Sequence, residues 1–98
     1  MNIKMNNSGG ELTVAVEGRL DTLTSPALKE KLEPAIGSIG KLVFDFTELK
    51  YISSAGLRVL LTAMQIMEEQ GGMVVRNVSP EVMSVFEVTG FSNALNFE

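Results

Sequence analysis

Two adjacent serines precede an apolar run with helical spacing, and they are the side chains of this sequence best placed to accept a chemical group. Ser53 and Ser54 stand in "YISSAGLRVLL", where Ala55 and Gly56 leave the first helical turn with little side-chain bulk. A helix N-terminus presents unpaired amide donors and the positive end of the helix dipole. A serine there can cap the helix, and a phosphate on that serine would meet the same donors. The residues alone leave both interpretations open.

The composition disfavours catalysis at these serines. The chain of 98 residues has no histidine and no cysteine, so it lacks the usual general base, a thiolate and the commonest zinc ligand. No glycine stands two positions before either serine, as a G-x-S-x-G elbow requires, and neither a G-x-x-x-x-G-K-[ST] nor a G-x-G-x-x-G loop occurs. We therefore expect no enzyme, no catalytic residue, no metal and no cofactor.

Carboxylates are the remaining candidates for acid–base or metal chemistry. Asp21 follows one predicted strand and Asp45 lies at the end of another, with Glu17 and Glu48 nearby in sequence. The carboxyl ends of parallel strands meet at one sheet edge, so Asp21 and Asp45 could together bind a metal ion or a partner's cation. Short acidic residues at strand ends commonly hold turns, and we favour that role for both.

Charge and hydropathy exclude further classes. The 8 basic and 12 acidic residues give a net charge of -4, which disfavours binding to nucleic acid or to an anionic membrane. The stretch "GLRVLLTAMQIM" is too short and too polar to span a bilayer of about 30 Å, and "MNIKMNNSGG" lacks the apolar core of a secretory signal. We expect one cytoplasmic domain over residues 1–98, without direct nucleic-acid or membrane contact.

Period-two and period-3.6 patterns alternate along the chain. "NIKMNN" and "ELTVAVEGRL" flank the turn-forming "SGG" and predict a hairpin, while "KLVFDF" and "MVVRNV" predict further strands and "ALNF" a short final one. "TELKYIS" is predicted to be a connector. The order β-β-α-β-α-β-α-(β) predicts an α/β domain with a small mixed, largely parallel sheet and helices packed mainly on one face.

Three segments are predicted to be helical from their spacing and their start signals. The first begins with Ser25 as a cap before proline, and Pro34 predicts a kink or an end near Glu33. The second begins at Ser54, and the third begins with Ser79 as a cap. In the second, apolar residues recur at three- and four-residue steps, at Leu57, Leu60, Leu61, Met64 and Met67. The buried face predicted for the third consists of Val82, Val85, Phe86 and Thr89.

Three stretches of the sequence, "GRLDTLTSPALKEKL", "LVFDFTELKYISSAGLRVLL" and "VMSVFEVTGFSNALNF", resemble the anti-sigma factor antagonist family, the STAS domains of bacterial partner-switching systems. The resemblance covers nearly the whole chain and implies a single STAS domain without enzymatic activity. The unphosphorylated form would bind an ATP-binding serine kinase that is also an anti-sigma factor, and so release a sigma factor or another client. The kinase would phosphorylate a serine, and a PP2C-type phosphatase would reverse this.

The family motif D-S-[STA]-G-L assigns roles to individual residues. Gly56 and Leu57 match its last two positions, which implies Ser54 as the phosphoacceptor and Ser53 as a minor alternative. Ser53 stands where many members have aspartate, and Asp21 matches a loop aspartate near the acceptor. The partner-binding residues that the resemblance implies are Asp21, Thr22, Ser53, Ala55, Gly56, Leu57 and Arg58.

Two alternatives stay open at this point. Arg58, one turn after Ser54, is either a solvated surface charge or a contact to an acidic partner. The fold also occurs in adaptors of transporter, lipid-transport or signalling assemblies, in which Ser54 would serve only as a cap. The free-standing length favours the phosphorylation switch. We expect a monomer, because no long apolar stripe is left unassigned.

Overall fold

Five strands and three helices alternate along the chain, and the computed structural model describes all of residues 1–98. The strands are β1 (Asn2–Ser8), β2 (Glu11–Leu20), β3 (Lys41–Asp45), β4 (Leu49–Ile52) and β5 (Met73–Arg76). The helices are α1 (Ser25–Ile36), α2 (Ser54–Met67) and α3 (Pro80–Thr89), followed by a 3-10 turn at Phe91–Asn93. The predicted α/β fold class is confirmed, with β4 as an additional strand.

Strand β2 is the longest and organises the sheet. β1 pairs with it antiparallel, which confirms the predicted hairpin. β3 pairs parallel with the first half of β2, and β5 pairs parallel with β3. β4 pairs parallel with the end of β2, from Gly18 to Leu20. The sheet is therefore mixed and largely parallel, as predicted.

The prediction that "TELKYIS" is only a connector is wrong, because Leu49–Ile52 forms β4. Leu49 and Ile52 are buried whereas the two residues between them are exposed, so the four residues lack the alternation that marks a strand. The pairing also shifts register between Gly18 and Arg19. As a result β3 and β4 together follow β2 to its end, and α2 begins beside the end of β2.

All three helices pack on one face of the sheet. On that face the register aligns Leu12 and Val14 of β2 with Leu42 and Phe44 of β3. These side chains share one cluster of 22 buried residues with side chains of all three helices, among them Leu28, Leu32, Leu57, Leu60, Val82 and Phe86. The predicted arrangement of helices is confirmed. None of the helices has the length and apolar character needed to cross a membrane.

Both ends of α1 differ from the prediction. Thr24 occupies the N-cap position, and Ser25 is the first residue of the helix, with a buried hydroxyl that has no hydrogen-bond partner. The predicted cap at Ser25 is therefore wrong. Pro34 does not end the helix, which continues to Ile36. A proline removes one hydrogen bond, and the burial of Leu32 and Ile36 on the core holds the last turn in place.

The C-terminal segment forms less regular structure than its sequence predicts. The predicted final strand is reduced to one parallel bridge between Val75 and Phe97. Thr89, predicted to be buried, is exposed, and its hydroxyl donates to the carbonyl of Val85 at 2.7 Å. Ser79 is confirmed as the cap of α3. Short terminal segments carry too few residues for a reliable periodicity.

Candidate phosphoacceptor site at the start of helix α2

The site lies where β2 and β4 end side by side. Leu20 pairs with Ile52, and the amide of Ser53 donates to the carbonyl of Leu20 at 2.9 Å. The next residue after Leu20 is Asp21, and the next after Ser53 is the start of α2 at Ser54. The strand register therefore places the loop that begins with Asp21 next to the first turn of α2.

The two serines differ in their accessibility. Ser54 is the first residue of α2 and is exposed. Ser53 occupies the N-cap position and is partly buried, and its hydroxyl oxygen is shielded from solvent and has no hydrogen-bond partner. Ser54 is therefore the serine that another protein can reach in this conformation.

The first turn of α2 keeps its amide donors free of a side-chain cap. The carbonyl of Ser53 accepts the amide of Leu57 at 2.9 Å, but the side chain of Ser53 accepts no amide. The turn contains no acidic residue either. Because the first amides of a helix have no partner within the helix, an anion placed on Ser54 would meet unused donors and a favourable dipole. The side-chain cap, which is the simplest role for Ser53 at this position, is therefore not formed.

Gly56 allows α2 to approach the sheet closely. A Cβ at this position would lie 2.8 Å from Cγ of Leu20, 2.9 Å from Cγ1 of Ile52 and 3.0 Å from the carbonyl oxygen of Leu20. Gly56 is buried and offers almost no surface to a partner. Gly56 therefore has a packing role against β2 and β4, and its contact with a partner stays a prediction.

A groove of about 360 Å³ opens beside Ser54, and Leu57, although only 3% exposed, contributes to its lining. Arg58 also lines it, is exposed and forms no ion pair. Sequence reasoning did not assign Leu61 of α2 to the site, and it also missed Thr89 and Phe91. Thr89 and Phe91 come from α3 and the turn after it, and only tertiary packing brings them to α2, so no local pattern could have identified them.

Asp21 shapes the loop beside the serines. Its Oδ1 accepts the amides of Thr24 and Leu23 at 3.1 and 3.0 Å, and the hydroxyl of Thr24 accepts the amide of Asp21 at 2.8 Å. The hydrogen bond from the Thr24 amide and the further bonds to the carboxylate, with Arg19 at 3.7 Å, hold the pKa of Asp21 below its ordinary value. The ionised carboxylate fixes a loop in which Thr22 and Leu23 are exposed.

Asp45 does not join this site, so the predicted pair of carboxylates is not formed. Asp45 pairs with Ala15, which precedes Asp21 by six residues (21 − 15) along β2, a separation of about 20 Å. Burial raises the pKa of Asp45, but hydrogen bonds from Thr47 and Asn77 outweigh it and lower the pKa. No cluster of three or more potential metal-ligating side chains is present. Both carboxylates hold turns, the role favoured from the sequence.

Comparison with known proteins identifies the family. The profile of the STAS domain matches residues 2–98. The chain is 36% identical over 93 residues to BtrV of Bordetella bronchiseptica, whose name assigns it to the anti-sigma factor antagonists, and the match covers 93% of this chain and 80% of BtrV. It is 25% identical over 97 residues to the anti-sigma-B factor antagonist of Bacillus subtilis, covering 98% of this chain and 89% of that protein.

Solved structures with low sequence identity share the fold. An anti-sigma factor antagonist from Mycobacterium paratuberculosis superposes with a TM-score of 0.88 at 23% identity, over 98% of this chain and 83% of that one. The Bacillus cell fate determinant SpoIIAA in its phosphorylated form superposes with a TM-score of 0.76 at 21% identity, over 99% of this chain and 91% of SpoIIAA. The resemblance seen in the sequence is confirmed: the chain belongs to the STAS domain family, and its relatives are named anti-sigma factor antagonists.

Proposed function

We propose that this protein is an anti-sigma factor antagonist switched by reversible phosphorylation of Ser54. The observation that carries the proposal is the exposed Ser54 at the uncapped start of α2, next to the shielded hydroxyl of Ser53. In the unphosphorylated state a single copy of the chain binds an ATP-binding serine kinase that is also an anti-sigma factor, which releases a sigma factor or another client. A PP2C-type phosphatase restores this state. The names of the relatives support the assignment.

Phosphorylation changes the charge of the site and leaves the fold in place. The γ-phosphoryl group of ATP moves to Oγ of Ser54, ADP leaves, and the hydroxyl proton passes to a base of the kinase. The product carries about −1.5 to −2 charges at neutral pH. Free amides at the first turn of α2 can bind the phosphate oxygens, so the modified helix start is electrostatically favourable. We therefore expect the phosphorylated chain to stay folded.

The same charge opposes partner binding because it lies on the docking surface. Thr22, Leu23 and Arg58 are exposed around Ser54, and Leu23 is an apolar side chain that is 89% exposed. A thousandfold loss of affinity corresponds to about 4.1 kcal/mol. One uncompensated charge at an interface can supply several kcal/mol. Within this proposal Arg58 contacts an acidic surface of the kinase, and Asp21 acts by fixing the loop.

Three variants of the full chain test the proposal. Ser54→Ala, Ser54→Asp and Ser53→Ala are used with the wild type as baits in a lysate of the organism that encodes the chain. We expect all but Ser54→Asp to capture the same kinase, and Ser54→Asp to retain at most a tenth of it. With that kinase and ATP, mass spectrometry should find phosphate on Ser54 in the wild type and in Ser53→Ala. An unmodified Ser54 in the wild type would contradict the switch.

The same experiment separates the switch from a non-phosphorylated adaptor. An adaptor would bind its partner equally well in the Ser54→Ala and Ser54→Asp variants, because the hydroxyl would have no chemical role. Its captured partners would be subunits of a transporter, lipid-transport or signalling assembly. Modification of Ser53 in the Ser54→Ala variant, with unchanged kinase binding by Ser54→Asp, would instead assign the acceptor to Ser53.

A further inference from the structure

We propose that the groove between α1 and α2 binds a free medium-chain carboxylate, with its charged group at the end nearest Ser54 and its alkyl chain along the two helices. The groove has a volume of about 250 Å³ and shares only Arg58 with the groove beside Ser54. It is lined by Lys29, Leu32, Glu33, Ile36, Ala55, Arg58, Val59, Thr62, Ala63 and Ile66. This proposal does not depend on phosphorylation of Ser54.

One end of the groove carries two unpaired cations. Helices α1 and α2 both begin at the sheet edge where Leu20 pairs with Ile52, and both run back across the same face. Lys29 lies four residues after the start of α1 (29 − 25), and Arg58 lies four residues after the start of α2 (58 − 54). Both side chains line the groove, each about one turn after the start of its helix. Both are exposed and neither forms an ion pair, and with Glu33 as the acidic residue of the lining the groove keeps a net charge of +1 (2 − 1), which attracts a ligand's anionic group.

Apart from Glu33 and Thr62, the remainder of the groove lining is apolar. Its apolar lining residues include Leu32 and Ile36 of α1 and Val59, Ala63 and Ile66 of α2. Ile66 is 39% exposed, one of few large apolar side chains on the surface. The eight residues from Arg58 to Ile66 (66 − 58) span about 12 Å along the helix. The groove therefore has a cationic end and an apolar end, separated by the length of a medium alkyl chain.

The dimensions and charges favour one class of ligand over others. A chain of about 12 Å is shorter than one leaflet of the roughly 30 Å hydrocarbon core, so the groove does not suit a membrane lipid. The net charge of -4 also opposes approach to an anionic bilayer. Glu33 lines the groove one turn after Lys29 and would repel a second negative group further along. A molecule with one carboxylate and one alkyl chain satisfies these conditions.

Titration of the isotope-labelled full chain with sodium decanoate, below its micelle concentration, tests the site by NMR. We expect saturable shifts of backbone amides confined to residues 29–36 and 55–66. Hexanoate should bind at least tenfold more weakly because it fills less of the apolar end. Decyltrimethylammonium, with the same chain length and the opposite charge, should also bind at least tenfold more weakly. Equal binding of the two ten-carbon probes, or no saturable shift, would overturn the proposal.

Matched variants locate the ligand's two ends. Ile66→Glu should lower the affinity for decanoate at least tenfold, whereas Gln65→Glu, which adds the same charge at an exposed position outside the groove, should leave it unchanged. The double change of Lys29 and Arg58 to glutamine should lower the affinity for decanoate at least tenfold. Lys31→Gln, at an exposed position of α1 outside the groove lining, should leave this affinity unchanged. Thermal unfolding verifies that each variant is folded. Equal affinities for decanoate in the Ile66→Glu and Gln65→Glu variants would exclude this binding mode. Wild-type affinity in the double variant of Lys29 and Arg58 would also exclude it.

Discussion

Helices α2 and α3 both begin after a serine in extended conformation, but only α3 is capped by that serine. Ser79 has φ −68° and ψ 158°, and its hydroxyl oxygen accepts the amide of Val82 at 3.2 Å. Glu81 adds a carboxylate to the first turn. Ser53 has φ −102° and ψ 177°, yet its hydroxyl accepts no amide and no acidic residue follows in the first turn. The same residue type at the same helical position therefore has different roles.

The difference shows where each helix start obtains its stability. The start of α3 is stabilised by local hydrogen bonds and by charge, as is usual for a helix N-terminus. The start of α2 is held by packing, because Gly56 lets it approach Leu20 and Ile52. Packing of the inner side leaves the outer side, with Ser54 and the free donors, available to another protein. Four predictions examine this contrast.

The largest effect is expected when the close packing at α2 is disturbed. Gly56→Ala places a Cβ within 3.0 Å of two side chains and a backbone oxygen, so we expect a loss of about 1–3 kcal/mol in the free energy of unfolding. This loss should outweigh the better helix propensity of alanine, about 1 kcal/mol. Urea denaturation measures the change.

Gly37→Ala is the matched control for this substitution. Gly37 follows α1 with φ −73°, and a Cβ there would have no atom within 4 Å. Alanine fits this backbone, so the control should be neutral or gain up to about 1 kcal/mol. If Gly56→Ala were as stable as the wild type while Gly37→Ala behaved as expected, packing would not hold the start of α2.

Removing the two serine hydroxyls tests the contrast directly. Ser79→Ala should lower the free energy of unfolding by about 1 kcal/mol, because a formed cap is lost. Ser53→Ala should change it by less than about 0.5 kcal/mol, because its hydroxyl is shielded and makes no hydrogen bond. Chemical denaturation of both variants under one set of conditions measures the difference. Equal losses would show that Ser53 caps α2 in solution.

A carboxylate at the N-cap should affect the two helices differently. Ser53→Asp supplies an acceptor and a negative charge to the unused amides of α2, and we expect a gain of about 0.5 kcal/mol. Ser79→Asp replaces a cap that already exists, so its effect should be close to zero. The melting temperatures of both variants give the comparison. A clear destabilisation by Ser53→Asp alone would indicate that the shielded site has no room for a carboxylate.

The sequence predicted the elements that have a clear period or a local start signal. In β2, Leu12, Val14 and Val16 alternate with polar or small residues over residues 11–17, and the structure forms a strand there with these three side chains buried. Ser79, followed by proline and glutamate, predicted the start of α3. In both regions the residues that determine the structure are neighbours in sequence, so local pattern was sufficient.

Features that depend on distant contacts could not be predicted in this way. β4 has only four residues, and its two buried residues do not alternate with exposed ones as in a typical strand. Its pairing with β2 also crosses a register shift, which no local pattern indicates. Its absence from the prediction caused the wrong placement of Asp45 beside Asp21. Ser53 and Ser54 are adjacent and chemically identical, and local pattern alone did not separate them. The structure separates them through burial, which follows from pairing of Leu20 with Ile52.

The smallest effect concerns Asp21, whose carboxylate fixes the loop beside the start of α2. The folded state lowers the pKa of Asp21, so this carboxylate adds stability above its unfolded pKa of about 3.9. That contribution is lost as the pH falls through the lower folded pKa, because the protonated group no longer accepts the same charge-assisted hydrogen bonds. Asp21→Asn keeps an oxygen for the amides of Leu23 and Thr24 but removes the charge.

We therefore expect Asp21→Asn to be slightly less stable than the wild type at pH 7, with a difference that shrinks as the pH falls towards 2.5. Urea denaturation at pH 7, 5, 4, 3 and 2.5 measures the difference, with Glu69→Gln, an exposed carboxylate without a hydrogen bond in the structure, as the control. A difference that does not change with pH would mean that the charge of Asp21 does not stabilise the loop. The loop would then be held by neutral hydrogen bonds among Asp21, Leu23 and Thr24.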